Sequence, residues 1–313
     1  MEKSLVLADY NTLQGYNCIF SNVYNTLRYC QIDIYEHDLF FWFSGFSKNR
    51  NIDNLFEIIY NEKNSIDWQR FIELNIRNNT PVLAHIDPKI LSHVKFNEFD
   101  TTVGHYINII GINVHDKKLL ISDSYVPTYI PSTYTGWIDY SSIEDNQIKA
   151  CWSINRVYIN NFFQERDAKY FINFTHINII KSLINFLLPD EDNNLPAGIS
   201  KLKEMPQIIH NYVQNKKYDE MFKLLAGIRL HIINPLIYLS NSLDRYYDRY
   251  DNLLKSLNNF IEDYWESLNM QLIKFSIAHK KLDSKIIASR VKDVIFMEEE
   301  VLKNILETMT AQY

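Results

Sequence analysis

The sequence predicts an α+β chain, an antiparallel sheet with flanking helices followed by an all-α domain. Three observations carry this expectation. Up to about residue 160 the apolar residues switch between helical and strand-like spacing. Two apolar runs, 103–113 and 118–123, are joined by Val114-His-Asp-Lys117, which reads as the turn of a hairpin. From about Arg166 onward the strand signal disappears. The best boundary falls between Asn160 and Ala168, giving domains of 1–162 and 163–313.

Taken in order, Cys18 to Tyr29 is expected to be helical, with Ile19, Val23 and Leu27 on one side. Asp67 to Asn78 repeats the pattern through Trp68, Phe71, Ile72, Leu74 and Ile76. Strands are expected at 81–86, 103–113, 118–123 and 151–159. In the second half, 171–188 reads as a helix and Pro189-Asp-Glu-Asp-Asn-Asn194 as a polar break. Pro206 suits the first turn of a following helix. Long helices are then expected from about Asp219 to Ile233, from Pro235 to about Leu268, and over the tail.

Composition narrows the function class. Apolar residues make up 46% of the 313, enough for a true core. The net charge is −6 and no Lys/Arg block stands out, so the footprint of a nucleic-acid binder is missing. The first nine residues do not read as a signal peptide, and no run reads as long enough to span a bilayer. Three cysteines, an odd and sparse count, point to reduced thiols and a cytoplasmic protein.

Three segments carry candidate chemistry. Gln14-Gly-Tyr-Asn-Cys18 leads into a helix, so Cys18 falls at a helix N-terminus. There the dipole favours a thiolate and backbone N–H groups face a developing oxyanion. Taken alone, a cysteine is more often a small buried hydrophobe. Val103-Gly-His105 opens an apolar strand; a strand-end His more often bonds a carbonyl than acts as a base. Leu119-Leu-Ile-Ser-Asp123 ends the next strand, and two hairpin strands bring positions 105 and 123 side by side. An Asp there can orient the imidazole, though turn-forming Asp residues are common. Together the three suit a Cys-His-Asp nucleophile–base–orienter set.

In this order the three segments resemble the papain-like fold, and the chain is most similar to the butirosin biosynthesis protein H family. Tyr35-Glu-His-Asp-Leu-Phe-Phe-Trp-Phe-Ser-Gly45 and Pro81-Val-Leu-Ala-His-Ile-Asp87 extend the likeness. In the second half, Gly198-Ile-Ser-Lys-Leu-Lys203, Arg245 to Leu254 and Trp265-Glu-Ser-Leu268 resemble the helical domain that often follows this catalytic domain. The resemblance implies acyl transfer from a carrier-protein thioester to an amine in secondary-metabolite assembly. No cofactor is implied beyond the phosphopantetheine on an acyl or peptidyl carrier protein. The helical domain is the expected surface for any self-association. Papain-like enzymes use a Gln ahead of the Cys for the oxyanion, which makes Gln14 the candidate and Asn17 a second. The family's usual Gly-rich run after the first helix is reduced here to Gly45.

Phe40, Trp42 and Phe43, with Phe41 and Phe46, would suit the wall of an acyl pocket and equally well a core. His85, Asp87 and His93 have metal-ligand chemistry, but a strand and turn explain them, and no metal is expected. Cys30 and Cys151 read as structural. A hydrolase with water as acceptor, and a non-catalytic scaffold that binds an acylated carrier, remain alternatives.

Overall fold

In a computed structural model the described residues are 4–43, 45, 55–61, 67–94, 104–126, 132–141, 143, 147–155, 159, 161–163, 166–187, 198–246 and 250–311. Phe46, Val103, Asn160 and the polar break 189–194 lie outside them. The chain forms two units, Met1–Glu36 with Asn51–Asp167, and His37–Arg50 with Ala168–Tyr313. The segment 37–50 therefore groups with the helices and not with residues 1–162 as expected. Its Asp38, Phe40 and Trp42 find their partners on Thr175, Tyr246, Tyr238 and Phe171.

The first unit is built on an antiparallel sheet. Its strands are β1 (Leu5–Val6), β2 (Phe56–Asn61), β3 (Val82–Ile86), β4 (His105–Asn113), β5 (Lys118–Val126), β6 (Ser132–Asp139) and β7 (Ile148–Ile154). They lie in the order β2-β7-β3-β4-β5-β6. β1 takes the edge of β4 where β3 leaves it, with Leu5 opposite Ile112 and β3 ending at Ile109. The hairpin turn at 114–117 is as expected, and Lys117 adopts φ 50° within it. β5 runs past Asp123 to Val126, and β7 is shorter than the expected strand. β2 and β6 had no sequence signal, and both are sheet edges. β6 is exposed along most of its length, so it shows no apolar alternation.

Three helices accompany this sheet in the sequence: α1 (Cys18–Tyr29), α2 (Glu36–Phe43) and α3 (Trp68–Arg77). Asp67 caps α3 by accepting the Gln69 N–H at 2.9 Å. Trp68, Phe71, Ile72 and Ile76 then form one core with Val82, Ala84, Ile107, Ile109 and Ile121 of the sheet. Leu74 faces the other way and is exposed.

The second unit is helical, and among the described residues no strand follows residue 170. Its later helices are α4 (Ala168–Leu187), α5 (Ile199–Leu202), α6 (Met205–Gln214), α7 (Tyr218–Ile228), α8 (Asn234–Tyr246), α9 (Asp251–Phe260), α10 (Ser267–Ser276) and α11 (Ser284–Thr310). The expected break before Pro235 is absent. A wide π turn at Arg229–Ile233 joins α7 to α8, and the Asn234 N–H reaches back five residues to the Arg229 carbonyl. Pro235 has no N–H to donate, and its ring would press on the carbonyl of His231. The widened turn directly ahead of it relieves that conflict. The resulting stretch Tyr218–Tyr246 is long and apolar enough to cross a membrane by length and composition, which corrects the sequence expectation. Half of its most apolar window is buried in this structure.

A second π turn, Ile261–Glu266, joins α9 to α10, and Arg229 pairs with Glu266 across the two wide turns. Trp265 is fully buried and donates its Nε1–H to Glu298 Oε2 at 3.0 Å. Glu298 Oε1 is buried without a partner among the described residues. Burial pushes the Glu298 carboxyl up to about 8, with the Trp265 bond opposing only part of that. The unfolded chain loses this proton near 4.5, whereas the folded chain holds it to about 8. Stability should therefore fall as pH rises between those values. Glu298→Gln should flatten that decline, as read by urea melts at pH 5 and pH 8; an unchanged slope would contradict a neutral buried carboxyl.

Candidate active site

Cys18 is the first residue of α1, and the turn before it is laid over a carboxylate. Asn17 is extended (φ −153°) and caps the helix, its Oδ1 accepting the Ile19 N–H at 2.9 Å. Glu36 Oε1 accepts the Tyr16 N–H at 3.0 Å and the Ser21 hydroxyl at 2.5 Å. Gly15 donates its N–H to the Ser124 carbonyl at 3.1 Å. A Cβ on Gly15 would lie 2.0 Å from Ser21 Oγ and 2.3 Å from Glu36 Oε2, so only glycine admits this packing. Cys18 itself is half-buried.

His105 opens β4 and Asp123 lies within β5. Asn108 pairs with Ser122, so one further step of that register sets Asp123 opposite Ile107, on the same face as His105. The two side chains meet: His105 Nε2 lies 2.9 Å from Asp123 Oδ2, with both residues buried. His105 also hydrogen-bonds Cys18. Gly104 keeps the approach to His105 narrow, because a Cβ there would fall 1.9 Å from His85 Nε2.

A buried amide ties these parts together. Asn22 Nδ2 donates to the Cys18 carbonyl at 2.7 Å and to the Tyr106 carbonyl at 2.9 Å, and its Oδ1 accepts the Ser124 hydroxyl at 3.0 Å. Asn25 Nδ2 adds bonds to Ser124 Oγ at 2.8 Å and to the Leu13 carbonyl at 2.9 Å. Thr26 donates to Asn108 Oδ1 at 3.0 Å, and Asn108 Nδ2 donates to the Asn22 carbonyl at 2.7 Å.

The electrostatics follow from this geometry. Burial alone pulls His105 down, but the Asp123 charge and hydrogen bond, with those of Cys18, outweigh it and raise the imidazole above its usual range. Asp123 is likewise penalised by burial, yet the His105 charge and the bonds from His105 and His93 hold it below the usual carboxylate range. The attraction between the two groups is thus the dominant local field.

The remaining sequence candidates separate. Gln14 is exposed in the loop ahead of Cys18. Asn17 is buried with its oxygen committed to the cap, so that its amide Nδ2 is the donor end of the side chain. Phe40 and Trp42 belong to the helical unit, where Phe40 stacks on Tyr238 at 4.6 Å and Trp42 on Phe171 at 5.3 Å. Phe43 lies against Trp42 with ring centroids 6.5 Å apart. His85 stacks on Tyr106, Asp87 caps the short helical turn Pro88–Ile90, and His93 turns to Asp123. Among the described residues no group of three or more His, Cys, Asp or Glu is placed to hold a metal ion. Cys151 is fully buried, which pushes its thiol far up, and half-buried Cys30 ends α1. Sequence reasoning missed Asn22, Glu36 and the link from His93 to Asp123, since each depends on contacts between distant segments.

No family model, no curated protein and no solved structure matches the chain.

The His105–Asp123 attraction should be visible in stability. A raised His stabilises fully below its unfolded value of 6.5 and loses that contribution as pH rises through the folded value. A depressed Asp stabilises above its unfolded value of 3.8 and loses it as pH falls through the folded value. The gap in unfolding free energy between wild type and Asp123→Asn should therefore be widest between about pH 4 and 6.5 and narrow on both sides. A gap independent of pH in denaturant titrations would contradict the assignment.

Proposed function

We propose that this protein is a cysteine-dependent acyltransferase with a papain-like arrangement, in which Cys18 is the nucleophile, His105 the base and Asp123 the orienter. The observation that carries this reading is the chain of contacts at one helix N-terminus: Cys18 bonded to His105, and His105 Nε2 2.9 Å from a fully buried Asp123. An imidazolium beside the sulfur and the positive end of α1 both favour a thiolate. The order Cys, His, Asp along a helix and two antiparallel strands supports the resemblance to the butirosin biosynthesis protein H family.

The chemistry proceeds in two balanced steps. Cys18 sulfur attacks the carbonyl of a carrier-bound thioester, and the carrier thiol departs with the proton from His105. An amine then attacks the Cys18 thioester and gives a proton to His105, and the amide leaves as Cys18 returns to thiolate. Asp123 keeps the ring in the tautomer that both transfers need and stabilises the imidazolium. Cys18 is only half-buried, as a residue that must meet an acyl donor has to be. An acyl or peptidyl carrier protein is the proposed donor and an amine the acceptor, with water as the competitor.

Cys18→Ala should lower turnover more than a thousandfold without changing the melting transition, whereas Cys30→Ala and Cys151→Ala should retain activity. Incubation with an acyl thioester should leave a mass adduct on Cys18 that an added amine discharges as amide. Discharge by water alone would identify a hydrolase, and absence of any adduct would identify a binding scaffold.

A further inference from the structure

Asp123 serves two histidines. His93 Nε2 lies 3.2 Å from the same Oδ2 that His105 contacts at 2.9 Å, while Asp123 Oδ1 accepts the Tyr125 N–H at 3.2 Å. An ionised carboxylate only accepts, so both rings must present Nε2–H to it. His93 is held there by a dedicated support. Its ring stacks on Tyr134 with centroids 3.7 Å apart and planes within 5°. Tyr134 is the cross-strand partner of Asp123 on β6, so the two side chains share a face. Two residues on, Gly136 leaves room for the tyrosine, since a Cβ there would meet its hydroxyl at 2.4 Å. Buried Leu91 and Val94 anchor the loop on either side of His93.

This placement has a cost. With Nε2 donating, the second nitrogen of a neutral His93 is an acceptor, and Nδ1 is buried without a partner among the described residues. An orphaned buried polar atom is destabilising, and a phenyl ring would stack on Tyr134 without that penalty. Packing alone therefore does not account for a histidine here, whereas the Nε2–H bond to Asp123 does.

We propose that His93 is a positioning residue of the Cys18–His105–Asp123 site, fixing the Asp123 carboxylate and taking a share of its charge, so that it sets how strongly Asp123 holds the proton of His105. This rests on the catalytic reading above. The titratable groups that face the carboxylate are His105 of β4, His93, and Tyr134 of β6, with Cys18 of α1 beyond His105. Removing the His93 donor leaves Oδ2 wholly to His105. The imidazolium is then held more tightly, and its loss moves to higher pH.

The test uses the full chain as wild type, His93→Phe, which keeps the stack, and His93→Gln, which keeps an N–H donor. Cys18 alkylation by iodoacetamide is followed by intact mass from pH 5 to 10, with His105→Ala as control, alongside ring-nitrogen spectra of imidazole-labelled protein. His93 should appear as the Nε2–H tautomer. His93→Phe should shift the His105-dependent limb of the profile upward by roughly half to one pH unit and slow acyl transfer about 10- to 100-fold. His93→Gln should restore most of both. Superimposable wild-type and His93→Phe profiles, or an Nδ1–H tautomer, would overturn the proposal while leaving the catalytic set intact. A wild-type profile with no limb that His105→Ala removes would sink both. Should His93→Phe fail to fold, the tautomer and the profile of His93→Leu, which likewise removes the donor, still decide.

Discussion

The side chain of Asn22 connects the three parts of the candidate site at once. Its amide nitrogen reaches the carbonyl of Cys18 itself and that of Tyr106, the neighbour of His105. Its oxygen takes the hydroxyl of Ser124, the neighbour of Asp123. A buried amide is tolerated only when its donors and acceptor are used, and here all are. In a low-dielectric interior such bonds are strong and directional, so the network sets the depth and rotation of α1 on the sheet. A misplacement of about 1 Å would separate the Cys18 and His105 side chains. The apolar stripe of the same helix, Ile19, Val23 and Leu27, is also buried but carries no comparable directionality.

Close approach is the second constraint. Gly15 and Gly104 stand just ahead of Cys18 and His105, and each meets a functional polar group at a distance that excludes a Cβ. At Gly15 the neighbour is Glu36, whose single carboxylate orders the turn into α1. At Gly104 it is His85, stacked on Tyr106. The candidate site thus depends on small residues that let polar groups approach the backbone as well as on Cys18, His105 and Asp123 themselves.

The helical unit shows how a sequence can hide continuity. Pro235 looks like a helix stop, yet the wide turn at Arg229–Ile233 carries the helix through it. The buried Trp265–Glu298 pair likewise places a carboxyl where the amphipathic pattern of α11 predicts only an apolar contact.

The helix opening at Cys18, the hairpin at 114–117 and the nearness of positions 105 and 123 were legible in the sequence, as was a mixed α and β chain. These follow from local periodicity, turn chemistry and the fixed geometry of antiparallel strands, all of which act over a few residues. Only the folded chain shows that Asp38, Phe40 and Trp42 join the helices, that β2 and β6 form sheet edges, and that Asn22, Glu36 and His93 reach the segments that carry Cys18, His105 and Asp123. Each of those depends on partners tens of residues away, as with Asn22 and Tyr106 at a separation of 84 or His93 and Asp123 at 30. No local pattern marks such pairs, because a polar side chain reads the same in sequence whether it meets water or a buried partner.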